Sequence, residues 1–250
     1  MFGKEREHTE LEVLFSNPPQ LILVFDNYRG PKLKGVADKT MEVRVVVASI
    51  IYNSRLYQDD SQRPIICCFA REHTPVDIPG SQKVARLLKK FGIPDHKIFT
   101  RKNTITTTTD LDQLHAAMIS TRIKSAVIVT TDDHVKRTKL EIENHFGRGR
   151  KHGKKPLIHV MSPSSAVLDK IWLPDRFDDQ QRAQIAELSS LGMTKELDGG
   201  FTEKIATAVA FIPIRNIRLI IQKRAERTSH PHTPNDLARI QRAAKRFLPE

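Results

Sequence analysis

Five short apolar runs, rich in β-branched residues, constrain this chain more than any other feature. They are LILVFD (21–26), PIICCF (64–69), HKIFT (96–100), SAVIVTT (125–131) and PLIHVM (156–161). Most show no in–out alternation, and a strand buried on both faces reads as a near-continuous apolar run. Helical periodicity fills the intervals. Residues 39–57 place Val43, Val47, Ile50, Ile51 and Leu56 near one face, and residues 80–91 stop at Gly92, a good helix terminator. Residues 110–122 group Leu111, Leu114, Met118 and Ile119, with Asp110 near the start. Residues 134–146 repeat the pattern with Val135, Leu140, Ile142 and Phe146. Strands alternating with helices predict an α/β fold: an open, mainly parallel, Rossmann-like sheet with helices on both faces.

The alternation stops near residue 163. The expected organisation is an N-terminal extension (1–19), the α/β domain (20–163), a helical segment that completes or flanks it (164–228) and a basic C-terminal helix or tail (229–250). Residues 147–155, GRGRKHGKK, read as a basic loop, and SHPHTPND (229–236) interrupts the helical C-terminal extension. No internal repeat is visible.

The chain's 250 residues suit one large domain with a small appendage. Its two cysteines, Cys67 and Cys68, are adjacent. On a strand they point to opposite faces, so no bridge between them is expected. No Cys/His spacing points to a metal site. The N-terminal MFGKEREHTELEVLF lacks the apolar core of a signal peptide. The longest apolar stretch, residues 205–221, is interrupted by Pro213, Arg215 and Arg218. A cytoplasmic protein is expected, with contact at a membrane surface as an option. The net charge of +12 draws nucleic acid, anionic membranes or phosphorylated ligands.

Ligands of open parallel sheets bind outside the carboxyl ends of the strands. Asp26, Asn27, Arg29 and Gly30 follow the first run, and Arg71, Glu72 and His73 the second. RKNTITTTTD (101–110) follows the third, Thr130 to His134 the fourth, and Ser162, Ser164 and Ser165 the fifth. The Thr-rich segment with Arg101 and Lys102 suits an anion at a helix N-terminus; equally, one Thr or Asp110 caps the helix and the rest are solvated. DNYRGPKLKG has neither GxGxxG spacing nor a Walker A loop, and no GxSxG is present. Asp132 or Asp133 also reads as a simple helix cap.

The order of these motifs resembles the YdcF/SanA/ElyC-like family of bacterial α/β domains over roughly residues 20–163. VTTDDHVKRT (129–138) looks like that family's VTSxxHxxRA motif, with Thr130, His134 and Arg137 on its Thr, His and Arg. NTITTTTDL resembles the NTxEN segment through Asn103 and Thr104, with Thr106 and Thr107 in place of Glu-Asn. Arg44 falls on the Arg of the family's first helix, and KKFGIPDHKIF matches its xxxGIPxxxI link. Phe69, Ala70 and Arg71 stand where the family often has Ser-Gly-Gly. FTEKIATAVAFIPIRNI is weakly similar to its closing helix, with Glu203 leading.

The resemblance implies a nucleotide-binding-like α/β sandwich and an association with the bacterial envelope, but names no reaction and no cofactor. Together with the strand-end residues it gives the expected site. His134 is the catalytic candidate, and Asn27, Arg44, Asn103, Thr104, Thr130, Asp132 and Arg137 are the ligand-binding candidates for an anionic or nucleotide-like small molecule. The alternative is an interaction protein on an inactive scaffold. It would bind nucleic acid or an anionic membrane surface through the basic C-terminal segment.

Overall fold

Valine and isoleucine crowd the pleated surface of a strand favourably, and here they build the centre of the molecule. The computed structural model describes residues 10–25, 34–70, 80–102, 107–147 and 156–192. A helix over residues 10–16 (α1) leads into β1 (Leu21–Phe25). Then follow α2 (Lys34–Tyr52), β2 (Ile65–Ala70), α3 (Gly80–Lys90), β3 (Ile98–Lys102) and α4 (Thr107–Thr121). The order continues with β4 (Ser125–Val129), α5 (Val135–Phe146), β5 (Leu157–Met161), α6 (Ala166–Ile171) and α7 (Asp179–Gly192).

The five strands form one sheet in the order β3-β2-β1-β4-β5, and every pairing is parallel. This is the expected Rossmann-like α/β architecture. Leu23 stands between Cys67 and Ile128 in register, with all three buried. One face of the sheet is covered by residues of α1, α2, α3, α6 and α7, and the other by α4 and α5. Cys67 belongs to the second layer and Cys68 to the first; both are free thiols. Burial pushes the Cys68 thiol pKa up, so it stays protonated and inert.

Several elements depart from the sequence pattern for identifiable reasons. The third strand begins two residues later than expected, because Asp95–Lys97 turn as a 3-10 helix. The fourth ends at Val129, although Thr130 N–H still donates to the Met161 carbonyl at 2.9 Å. α2 ends at Tyr52 and so leaves out Leu56. Residues 43–54 are all buried, so α2 is not the one-faced helix that the spacing predicts. An uninterrupted VRVVVASII lacks a polar stripe, and a helix apolar all round must be enclosed. Here β1, α3, α6 and α7 enclose it. On α4, Leu111, Leu114 and Met118 are buried, but Ile119 is 63% exposed. It lies one step beyond the i, i+3, i+7 stripe. On α5, Val135, Leu140 and Ile142 are only partly buried, while Thr138 and Glu141 are fully enclosed. These two continue, at helical spacing, the stripe that buried His134 begins.

The residues expected in the basic loop, all but the first, and in the tail from 193 onward lie outside the described residues, as does His73. Among the described residues no helix is long and apolar enough to cross a membrane.

Two helices end on a residue in the left-handed region. Gly92 has φ 76° after α3, and Arg122 has φ 58° after α4. A Cβ at Gly92 would meet nothing within 4 Å, so its substitution costs conformation alone. Gly92→Ala should therefore destabilise by about 1 kcal/mol, and Arg122→Gly should stabilise by up to about 1 kcal/mol. Urea titration of both variants checks this. Effects of the opposite sign would contradict the assignment of these two helix ends.

Candidate functional site

The strand order reverses between β1 and β4, and this switch point is where an open parallel sheet forms a crevice. β1 ends there at Phe25 and β4 at Val129. Arg44 reaches the place from the enclosed side of α2. It is 2% exposed, and its Nη1 donates to the Phe25 carbonyl at 3.1 Å. A guanidinium keeps its charge at any ordinary pH, so α2 delivers a fixed positive charge to the end of β1.

On the other side, Thr130 and Thr131 are fully buried. Thr131 is extended, with φ −93° and ψ 160°, and Asp132–His134 then form a 3-10 turn closed by His134 N–H to the Thr131 carbonyl at 2.9 Å. Neither this turn nor α5 has a side-chain N-cap hydrogen bond, which overturns the reading of Asp132 or Asp133 as a cap. Asp132 turns instead toward the loop after β5. Its Oδ1 accepts from Ser162 Oγ at 2.5 Å, from Ser164 N–H at 3.3 Å, and from Ser164 Oγ. Three donors on one carboxylate oxygen lock the two loops together.

Asp133 turns the other way. Its Oδ2 lies 2.8 Å from His134 Nδ1. Burial alone would raise the Asp133 pKa, but the contacts with His134 and Thr131 and the positive charge of Arg44 outweigh it. They hold the carboxyl below its ordinary range. His134 is 5% exposed. Burial lowers its pKa to about 3; Asp133 opposes that shift, and the charges of Arg137 and Arg44 reinforce it. At neutral pH the pair is therefore a carboxylate beside a neutral imidazole.

The structure thus brings Arg44, Thr130, Asp132, His134 and Arg137 to one end of the sheet, with both arginines acting on His134. Asn27, Asn103 and Thr104 lie outside the described residues. Sequence reasoning placed Asp133, Ser162 and Ser164 at the strand ends but not among the ligand-binding candidates. Their signal was present: Asp133 adjoins the histidine, and Ser162 stands one position beyond the last residue of β5. Among the described residues no group of three or more His, Cys, Asp or Glu side chains is placed to hold a metal ion. Compared with protein-family models, curated proteins and solved structures, the chain finds no significant match.

The buried neutral His134 couples stability to pH. The unfolded chain takes up a proton near pH 6.5, while the folded protein takes none at this residue until about pH 3. Stability contributed by the neutral ring is complete above pH 6.5 and falls as pH drops toward 3. The loss by pH 4 should be on the order of 3 kcal/mol. Urea unfolding between pH 7 and 4 should show this decline in the wild type and a flatter profile in His134→Gln. Equal slopes would show that His134 is not the responsible group.

Proposed function

We propose that the protein binds an anionic or nucleotide-like small molecule where β1 and β4 part at the carboxyl edge of the sheet. The observation that carries this reading is the convergence of Arg44 and Arg137 on a neutral, buried His134 that lies against Asp133. Two fixed cations beside an uncharged ring favour an incoming phosphate or carboxylate, and a guanidinium matches either with paired hydrogen bonds.

His134 is the candidate for proton exchange with the bound molecule. Arg137 stands one helical turn beyond it on α5 and is the candidate for direct contact with the anion. Arg44, fastened to Phe25, is the deeper charge. The sequence resemblance to the YdcF/SanA/ElyC-like family falls on the same three residues, and this agreement supports the reading. A particular substrate or reaction is no part of it.

Calorimetric titration with inorganic phosphate and with nucleoside monophosphates should give saturable binding. Arg137→Ala should weaken it tenfold or more, by an estimate of about 1.5–3 kcal/mol for a charged hydrogen bond, and Arg137→Lys should restore part of the loss. No heat and no melting shift with any of these anions would refute the proposal.

A further inference from the structure

The two edges of the sheet differ in sequence. β3, at one edge, reads IFTRK, and arginine and lysine on an edge strand are a usual safeguard against pairing with another chain. β5, at the other edge, reads LIHVM. It has no lysine, arginine, acidic residue, proline or glycine, and so lacks that safeguard.

Hydrogen bonding fixes which backbone groups of β5 face outward. Leu157 N–H donates to the Lys124 carbonyl, and the Met161 carbonyl accepts from Thr130 N–H, each at 2.9 Å. The backbone groups of Leu157, His159 and Met161 therefore turn toward β4. Those of Ile158 and Val160 turn away from it, because successive residues of a strand alternate. Among the described residues none gives these outward groups a hydrogen-bond partner, and no strand lies beyond β5.

This outward row is complementary to itself. Two copies of β5, antiparallel about a two-fold axis at His159, set Ile158 opposite the partner's Val160. Such a pair exchanges both of its N–H···O=C bonds, and the axis generates a second, identical pair. Leu157 falls opposite the partner's Met161, so the ladder is apolar on both sides of the axis. Cross-strand pairs of branched apolar side chains stabilise such a ladder. Ile158 packs against the layer of α4 and α5, and Val160, on the same face by alternation, is also partly buried. On the opposite face Glu10 of α1 stands 4.0 Å from His159, and the charge of Lys139 reaches Glu10. Both signs of charge are thus present beside β5, so two copies do not meet as like charges.

We propose that the protein forms a two-fold dimer through β5, with the sheets of the two copies joined edge to edge. The interface uses none of Arg44, His134 and Arg137.

Sedimentation equilibrium of the full chain over a concentration series measures the mass. Wild type should approach twice the mass of one chain. Val160→Pro removes one outward donor and no bond to β4, a change that an edge strand tolerates. It should sediment as a monomer with an unchanged circular dichroism spectrum. Val160→Thr keeps both the donor and the branched side chain, and should remain a dimer. Cysteine substitution reads the register, since the native Cys67 and Cys68 are buried. Residues opposite each other at the axis have Cα atoms about 4.5 Å apart. His159→Cys should therefore give a disulfide-linked pair under mild oxidation, and Ile158→Cys, which faces a different residue, should not. If Val160→Pro loses its fold, the two cysteine variants decide alone. A monomeric wild type at every concentration would overturn the proposal. So would a dimer that survives Val160→Pro or is lost in Val160→Thr, or bridging at Ile158→Cys rather than at His159→Cys.

Discussion

A guanidinium enclosed among valines is the contact on which the carboxyl edge of this sheet depends. Arg44 sits in the stretch of α2 that is buried all round, where a lone charge would be very costly. It is held by the carbonyl that ends β1, and its field reaches Asp133 and His134 beyond β4. One side chain thereby joins the central helix, the central strand and the turn after the neighbouring strand. The enclosure of α2 and the charge at the switch point are two aspects of the same packing.

The turn after β4 divides its work between adjacent carboxylates. In a 3-10 helix successive side chains diverge by about 120°, so neighbours cannot share a task. Asp132 fastens the loop after β5, and Asp133 lies against His134. The first contact fixes where the turn stands, while burial, against the pull of the second, keeps the ring neutral. His134 in turn begins the inward stripe that Thr138 and Glu141 continue, which explains why α5 presents polar residues to the interior.

Much of this was legible in the residues. The five β-branched runs fixed the strand count, and their unbroken apolar character announced a parallel sheet covered on both faces. Gly92 announced the end of α3. The residues named at the end of the fourth strand include Asp133 and His134, which the charge of Arg44 reaches. What sequence periodicity could not supply was direction. It assigned α2 one apolar face, because counting apolar positions does not reveal what surrounds a helix. It assigned α5 an apolar inward face, because the phase of that helix is set by the preceding turn. It read Asp132 as a cap because the serines that occupy it are thirty residues downstream. Long-range partners of polar side chains are decided by register, and register appears only once the strands are paired.

The account stands or falls on the state of His134 and its response to an anion. Nitrogen-15 NMR of the histidine rings, with His134 assigned by comparison with His134→Gln, measures both at once. At neutral pH the ring should be neutral, and its resonances should shift saturably as inorganic phosphate is added. A charged ring, or a ring indifferent to phosphate while other histidines respond, would contradict the account.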